Sequence, residues 1–240
     1  MKYPRRIKKR ALTRRRISSL DEGHGLSSTG EFAEFNNEGA SNSPIGVIVL
    51  AAGASTRMGQ PKQLLRFEGQ SLLRRAAGAA LGSPCRPVVV VMGAHAALMR
   101  AELKQLAVQV VENPQWVNGM SSSIRVGITK LAKLSEEASA AVITVCDQPL
   151  VTPELITRLV ETHRATNASI VASEYGETLG VPALFSRRLF PELCDLSDPA
   201  GAKQIINRFL NEVVPVPFVG GAFDIDTPTD YAKLQRGGIA

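Results

Sequence analysis

The sequence has few of the residues that build disulfide frameworks, zinc sites or membrane spans. Its 240 residues include three cysteines and three histidines, and aromatic residues make up 5% of the chain. Cys85, Cys146 and Cys194 are odd in number and show no C-x-x-C spacing, and the histidines form no H-x-x-x-H pair. No apolar run approaches the ~18 residues that a membrane span requires. These absences exclude a disulfide-stabilised scaffold, a zinc site of either spacing and an integral membrane protein, and we expect a cytoplasmic protein.

Two familiar phosphate-binding loops are also absent. The chain has no G-x-x-x-x-G-K-S/T string and no G-x-G-x-x-G string, so neither a P-loop nor a Rossmann dinucleotide fingerprint is present. It also lacks a convincing Ser-His-Asp or Cys-His set for nucleophilic catalysis.

The net charge of +6 is unevenly distributed along the chain. Residues 1–16 carry a charge of +9, residues 17–44 carry −5, and residues 45–240 carry +2. The first 44 residues also lack apolar periodicity and are rich in Ser, Gly and Asn, so we expect a disordered basic and polar extension. Its Arg/Lys run has two interpretations: a segment that binds nucleic acid or an anionic membrane, and an unstructured extension with no binding role. Residues 45–240 are expected to form one domain that uses neither nucleic acid nor a membrane.

Apolar runs alternate with helical patterns from residue 45 onward. This alternation predicts an α/β fold with a three-layer, doubly wound, mostly parallel sheet, whose ligands bind beyond the carboxyl ends of the strands. Thr227 is expected to cap the last helix. The clearest predicted strands are Ile45–Leu50, Pro87–Met92 and Ala140–Cys146, and the predicted helices include Ser71–Leu81, Ala96–Leu106, Ser121–Leu134, Pro153–Thr166 and Pro228–Gln235.

The most informative segment follows the first predicted strand. It reads L-A-A-G-A-S-T-R-M-G-Q-P-K from residue 50 to residue 62. Small residues let backbone N–H groups approach a ligand closely, and Gly53 and Gly59 can adopt positive φ. Arg57 and Lys62 add two cations. Such a loop at the end of a strand is suited to a polyphosphate.

Two further segments place carboxylates where they can serve a site. Asp147 ends the predicted strand Ala140–Cys146, and from spacing alone a metal ligand and a helix cap are equally good interpretations. Asp224, Asp226 and Asp230 precede or open the last helix, where Asp230 favours the positive end of the helix dipole without any ligand. Two carboxylates from distant segments are typical of a site for Mg²⁺.

A third segment, N-P-Q-W-V-N-G-M-S-S-S-I over residues 113–124, places Gly119 and three serines at the start of a helix. Helix capping needs only one serine, so the other hydroxyls have no evident structural task.

Together these motifs resemble those of the MobA-like nucleotidyltransferases, and most closely the molybdenum cofactor cytidylyltransferases. Every fixed position of the pattern L-A-A-G-x-S-x-R-M-G-x-x-K is filled, and D-I-D-T-P-x-D-Y is matched over residues 224–231. The resemblance extends from about residue 44 to residue 234 and implies a Rossmann-like nucleotidyltransferase fold.

The resemblance also implies roles for individual residues. Arg57 and Lys62 are expected on the leaving pyrophosphate and the α-phosphate, and Asp147 and Asp226 are expected to hold Mg²⁺, with Mn²⁺ as an alternative ion. Asp224 is expected to brace its loop. The residues expected to bind the nucleotide, besides these two cations, are Ala51, Ala52, Gly53, Ser55, Gly119, Ser121 and Ser122.

On the acceptor side, G-V-P-A-L-F over residues 180–185 matches a family element in which Gly180 and Pro182 shape the wall. The family then has G-D-x-G-A-R/K, whereas this chain reads D-P-A-G-A-K over residues 198–203. Gly201 and Lys203 are kept as acceptor-side candidates. The change falls where the acceptor is expected, so it puts the identity of the acceptor in doubt.

The implied reaction transfers CMP from CTP to the terminal phosphate of the molybdenum–molybdopterin cofactor and releases pyrophosphate. Ala52 favours CTP, because L-A-A-G accompanies cytidylyl transfer in the family and L-A-G-G accompanies guanylyl transfer. Two alternatives stay open: a related nucleotidyltransferase that uses another nucleoside triphosphate or a sugar-phosphate-type acceptor, and a non-catalytic cofactor carrier or chaperone for a molybdoenzyme. A monomer that delivers its product to a molybdoenzyme apoprotein is expected.

Overall fold

The computed structural model describes residues 43–237, so the predicted N-terminal extension lies almost wholly outside the described residues and its disorder stays a prediction. Within the described part, none of the helices has the length and apolarity that crossing a bilayer requires. The strands are β1 Ile45–Ala51, β2 Arg66–Phe67, β3 Gln70–Ser71, β4 Val88–Met92, β5 Gln109–Glu112, β6 Ala140–Val145, β7 Ile170–Tyr175, β8 Thr178–Ser186 and β9 Val213–Pro217. The helices are α1 Leu72–Gly82, α2 Ala96–Met99, α3 Met120–Leu134, α4 Pro153–Thr166, α5 Phe190–Cys194, α6 Ala202–Arg208 and α7 Pro228–Gln235.

Seven strands form the main sheet in the order β5-β4-β1-β6-β8-β7-β9. All neighbouring pairs are parallel except the two that involve β8, which runs antiparallel to both β6 and β7. The predicted mostly parallel sheet is therefore confirmed. The antiparallel strand follows from chain connectivity, because only Gly176 and Glu177 separate β7 from β8 and so short a link joins antiparallel neighbours.

Helices cover both faces of this sheet, which confirms the three-layer arrangement. Helices α1 and α4 pack on one face, and α3, α5 and α6 pack on the other. The central strands β1, β4 and the first five residues of β6 are buried throughout, as expected for strands with helices above and below them.

Some local elements differ from the prediction. The predicted helix Ala96–Leu106 is a single α-turn, α2, followed by a 3-10 turn over Arg100–Leu103. Met99 of α2 and Leu103 of the 3-10 turn are both buried, four residues apart as in a helix. The short β2–β3 hairpin was not predicted. The final helix was predicted correctly, and Thr227 caps it in a capping box with Asp230.

The strand order reverses next to β1. The chain passes from β1 to β4 and β5 on one side of the sheet, and then returns to place β6 on the other side of β1. Such a switch point opens a crevice at the carboxyl ends of the two strands, where doubly wound proteins bind their ligands.

Candidate functional site

A cleft of about 540 Å³ lies at this switch point. Its size falls within the range of small-molecule sites. Its walls come from five segments: the loop after β1, the start of α3, the end of β6, the β7–β8 pair and the segment before α7. They contribute Ala51, Ala52, Gly53, Ala54, Arg57, Lys62, Gln63, Trp116, Val117, Gly119, Met120, Ser123, Cys146, Asp147, Gln148, Tyr175, Val181, Asp224 and Asp226, among others.

The loop after β1 is held in shape by its own side chains. Ser55 has a left-handed backbone with φ of 57°, and its hydroxyl accepts a hydrogen bond from the Lys62 N–H at 3.0 Å and donates to Gln63 Oε1 at 3.2 Å. Gln63, which is 1% exposed, donates from Nε2 to the Gly53 carbonyl at 2.7 Å and to the Ala51 carbonyl at 3.3 Å. Ser55 thus closes the loop on itself, and its predicted contact with a nucleotide stays a prediction.

Sequence reasoning missed Gln63. The available signal is its position directly after Lys62 at the end of the loop. An amide that is buried there must donate its N–H groups to nearby backbone carbonyls, and it thereby fixes the loop.

Arg57 and Gly53 are open to an incoming ligand. The Arg57 side chain is 74% exposed, and its guanidinium lies 3.5 Å from Asp226 Oδ2. No atom lies within 4 Å of the position that a Cβ on Gly53 would take, so the backbone is accessible there. Ala51 and Ala52 line the same wall of the cleft, although little of either side chain is exposed.

Asp147 and Asp226 meet across the cleft on either side of the Lys62 ammonium. Lys62 Nζ lies 2.6 Å from Asp147 Oδ2 and 2.8 Å from Asp226 Oδ1. The Ile225 N–H donates to the Asp147 carbonyl at 2.9 Å, which ties the segment before α7 to the end of β6. The two predicted metal ligands, 79 positions apart in the chain, are therefore brought together.

Alternation along residues 224–226 explains why both aspartates face the cleft. Ile225 is fully buried and packs in a small cluster with Met58, Leu65, Leu72 and Leu234, whereas both neighbouring carboxylates line the cleft. Because side chains alternate in an extended segment, burying Ile225 turns the two aspartates outward. The same cluster holds Met58 of the loop, so the loop and the carboxylate segment share one anchor.

The charges in this group shift one another's pKa values. Burial alone lowers the pKa of Lys62, but the Asp147 charge and the hydrogen bonds to both carboxylates outweigh that effect and raise it above its ordinary value. The hydrogen bond from Lys62 holds the pKa of Asp226 below its usual range. Lys62 is thus a stable ammonium and Asp226 a stable carboxylate at neutral pH.

The carboxylate pair suits a divalent cation. Asp147 Oδ1 is buried and has no hydrogen-bond partner among the described residues, so one oxygen of this carboxylate is left over after Lys62 is bound. No group of three or more His, Cys, Asp or Glu side chains within residues 43–237 forms a protein-only metal cage. Two carboxylates that leave the remaining positions to phosphate and water fit Mg²⁺ or Mn²⁺ in the presence of a nucleotide.

The β7–β8 side of the cleft is formed by Tyr175 and Val181. A Cβ on Gly180 would lie 2.0 Å from the Tyr175 hydroxyl, so a larger residue at this position would displace the Tyr175 side chain. Pro182 is buried behind the wall, and its carbonyl accepts the Ser173 hydroxyl at 2.6 Å. Gly180 and Pro182 lie behind this wall and do not line the cleft, which Val181 and Tyr175 line instead, and the predicted role of Gly180 and Pro182 beside the acceptor stays a prediction.

Asp224 lies at the same end of the cleft. Partial burial, reinforced by the nearby Asp147 charge, raises its pKa. Burial and then the Asp224 charge likewise raise the pKa of the Tyr175 hydroxyl. Asp224, which the sequence predicted only as a brace, is in contact with the cleft.

The three serines at the start of α3 have different surroundings. Ser121 is fully buried and donates to Asp198, and Ser122 accepts from the Asn113 amide at 2.8 Å and donates to the Gly119 carbonyl at 2.8 Å. Ser123 lines the cleft instead, and sequence reasoning missed it. Contacts of the Ser121 and Ser122 hydroxyls with a nucleotide stay predictions, whereas Gly119 is on the cleft wall.

The altered segment D-P-A-G-A-K packs on this same helix start. Gly119 has φ of 111°, and a Cβ there would lie 2.9 Å from Pro199 Cα. A Cβ on Gly201 would lie 2.9 Å from Met120 Sδ. Gly201 precedes α6, and Lys203 is exposed and is not part of the cleft wall. Neither residue is brought to the carboxylate pair, and their acceptor role stays a prediction.

Known proteins resemble this chain over most of its length. It is 28% identical over 196 residues to nicotine blue oxidoreductase of Paenarthrobacter nicotinovorans, covering 78% of this chain and 94% of that protein. It is 28% identical over 201 residues to the purine catabolism protein PucB of Bacillus subtilis strain 168, covering 79% of this chain and 95% of that protein.

Solved structures with this fold include Rv0371c of Mycobacterium tuberculosis H37Rv. The TM-score is 0.71 at 29% identity, with 81% of this chain and 98% of that chain covered. A complex of Rv0371c with manganese has a TM-score of 0.67 at 28% identity, with coverages of 81% and 99%. Residues 47–213 match the family model described as the MobA-like NTP transferase domain. The chain therefore belongs to the MobA-like NTP transferase family.

Proposed function

We propose that the protein transfers CMP from CTP to the terminal phosphate of the molybdenum–molybdopterin cofactor and releases pyrophosphate. The coarser activity, nucleotidyl transfer, is that of its family. The observation that carries the proposal is the meeting of the Arg57–Lys62 loop with Asp147 and Asp226 in one cleft. The loop whose L-A-A-G motif resembles that of the cytidylyltransferases thus lies beside a carboxylate pair.

The charge distribution of the cleft supports one orientation of the nucleotide. Arg57 and Lys62 lie at the β1 end, where the open backbone at Gly53 adds hydrogen-bond donors for phosphate. Gly119, Met120 and Ser123 lie at the α3 end, with no cationic side chain among them. We place the triphosphate on the loop and the base and ribose against the start of α3.

The chemistry then needs positioning and charge neutralisation more than covalent help. An oxygen of the acceptor's terminal phosphate attacks the α-phosphorus of CTP, a new P–O bond forms, and the bond to the bridging oxygen of the β-phosphate breaks. Pyrophosphate leaves with that electron pair. The attacking oxygen is already ionised at neutral pH, so no general base is required. Arg57 and Lys62 offset the negative charge that accumulates on the leaving pyrophosphate.

Asp147 and Asp226 would hold the divalent cation, and the buried free oxygen of Asp147 supports this assignment. When bound, a cation at this place neutralises phosphate charge as a Lewis acid. The manganese complex of the related Rv0371c supports a divalent ion here as well.

A second candidate is transfer to a different phosphorylated acceptor, such as a sugar phosphate. The specific observation in its favour is the replacement of the family's Gly-Asp by Asp198-Pro199, which changes the segment beside α3. A non-catalytic carrier or molybdoenzyme chaperone is disfavoured, because a carrier has no need of the paired carboxylates or of the two cations facing them.

Pyrophosphate release tests the proposal. Purified protein is assayed with Mg²⁺ or Mn²⁺ against CTP, GTP and UTP, each with molybdopterin cofactor, with a sugar phosphate or with no acceptor. We expect release with CTP and the cofactor only, with the labelled CMP recovered in the product. Release with a sugar phosphate alone would favour the second candidate. No release in any combination would overturn the enzyme proposal. Because one relative bears the name of an oxidoreductase, oxidation of a reduced nicotinamide nucleotide is monitored in parallel.

A further inference from the structure

The Lys62 ammonium occupies the place between the two carboxylates that a divalent cation needs. It bonds one oxygen of each carboxylate at 2.6 Å and 2.8 Å, and its side chain is 13% exposed, against 20% for Asp147 and 40% for Asp226. These are short, charge-assisted hydrogen bonds in a partly dehydrated cleft, and such bonds are stronger than neutral ones. Lys62 therefore offsets one of the two negative charges of the pair and occupies one oxygen of each carboxylate.

We infer that Lys62 controls metal entry, keeping Asp147 and Asp226 closed to a divalent cation until a nucleoside triphosphate draws its ammonium away. The inference rests on the proposed function in one respect, since it takes these two carboxylates as the cation's ligands.

Exclusion follows from direct competition for the same two carboxylates, because Lys62 holds one oxygen of each and leaves only the single free Oδ1 of Asp147. A divalent cation that approaches the pair meets an ammonium already bound to it, and the two cations repel each other strongly where water is partly excluded. The ammonium is also tethered, so it returns to the carboxylates at a high effective concentration however dilute the protein is.

Release is confined to the side chain of Lys62. Its backbone N–H is held by the Ser55 hydroxyl at 3.0 Å, and Ser55 is in turn fixed by Gln63. The loop can thus stay in place while the flexible four-carbon stem swings the ammonium from the carboxylates to a phosphate. Such a movement exchanges one anionic partner for another and leaves Lys62 paired in both states.

The consequence is that triphosphate and metal favour each other's binding. A triphosphate that takes Lys62 frees two carboxylates for the cation, and the cation then neutralises the phosphates beside them. Such coupling is reciprocal by thermodynamic necessity. Lys62 thereby makes the metal site complete only when a nucleotide is present.

The test measures binding of Mn²⁺ alone, by electron paramagnetic resonance of the free ion, with no nucleotide present. We expect Lys62→Met to bind Mn²⁺ at least about tenfold more tightly than the wild type, because the competing ammonium is gone. Lys62→Arg, which keeps a cation on the loop, should retain weak binding. Lys133→Met is the matched control: it removes the same charge at the far end of α3, about 20 Å from the start of that helix by its rise of ~1.5 Å per residue, and should behave as wild type.

Thermal unfolding provides a second readout and checks that the variants fold. Saturating Mn²⁺ should raise the melting temperature of Lys62→Met more than that of the wild type, because tighter binding to the native state stabilises it more. The double variant Lys62→Met/Asp147→Asn should lose the gain, which locates the ion at the carboxylate pair.

The inference is overturned if Lys62→Met binds Mn²⁺ no more tightly than wild type, or if the double variant keeps the tight binding. The measurement needs neither an acceptor nor turnover. Failure of transfer to every acceptor would therefore leave this result standing, and failure here would leave the transfer assay untouched.

Discussion

Replacing Asp147 by asparagine removes one charge from the carboxylate pair and keeps the shape of the side chain. Lys62 would retain Asp226 as a charged partner at 2.8 Å, and the asparagine carbonyl oxygen could still accept a hydrogen bond. The backbone link from the Ile225 N–H to the residue 147 carbonyl does not involve the side chain. We therefore expect the variant to fold with the cleft intact.

The two expected magnitudes differ, and that difference is the test. A hydrogen bond to a charged group contributes about 1.5–3 kcal/mol, and the asparagine carbonyl should keep part of it, so the free energy of unfolding should fall by about 1 kcal/mol. For a domain of this size the melting temperature should drop by about 2–4 °C. The rate of CTP-dependent pyrophosphate release should fall at least about 100-fold, as when one preorganised electrostatic group is removed.

Glu161→Gln is the control for loss of one negative charge, because Glu161 is exposed on α4 away from the cleft. It should keep both the rate and the melting temperature. A folded Asp147→Asn protein that retains more than about a third of the wild-type rate would refute the metal assignment, because loss of a metal ligand should lower the rate about 100-fold.

Three further predictions concern the surroundings of the site. Gly119 has φ of 111°, and a Cβ there would lie 2.9 Å from Pro199 Cα, so Gly119→Ala should lower the free energy of unfolding in urea by about 1–3 kcal/mol and raise the KM for CTP. Gly78→Ala should be neutral or slightly stabilising, because no atom lies within 4 Å of the added Cβ. Asp230→Ala should lower stability by about 1 kcal/mol at neutral pH by removing the capping box. The hydrogen bond with Thr227 lowers the pKa of Asp230 from 3.8, so this difference should be present above that value and shrink as the pH falls below it. Iodoacetamide should not alkylate Cys146 in the folded protein at neutral pH, because burial raises its pKa to about 12; rapid labelling before unfolding would contradict this.

Local patterns were sufficient for the fold class and for most elements. The buried strands β1, β4 and β6 are apolar on both faces because helices cover both sides of the sheet, and that feature is legible as continuous apolar runs. Pro153 and Thr227 mark helix starts through local backbone chemistry, which needs no tertiary context. The motif around Arg57 and Lys62 was likewise enough to indicate the family.

The direction of β8 and the use of individual hydroxyls could not be predicted in the same way. Strand direction depends on which neighbours the strand pairs with, and the sequence marks the segment only as apolar and extended. Ser121, Ser122 and Ser123 are identical in type and adjacent, yet helix geometry rotates each by about 100° to a different environment, so that Ser123 alone of the three lines the cleft.

The sequence by itself determined the kind of protein: a doubly wound α/β domain with a phosphate-type loop and two aspartate segments suited to a metal. Periodicity and motif chemistry are local properties, so they can be read along the chain. The tertiary structure alone decided that Lys62 lies between Asp147 and Asp226. Lys62 precedes Asp147 by 85 positions and Asp226 by 164 positions. The three side chains meet because β1 and β6 become neighbours only when the sheet assembles.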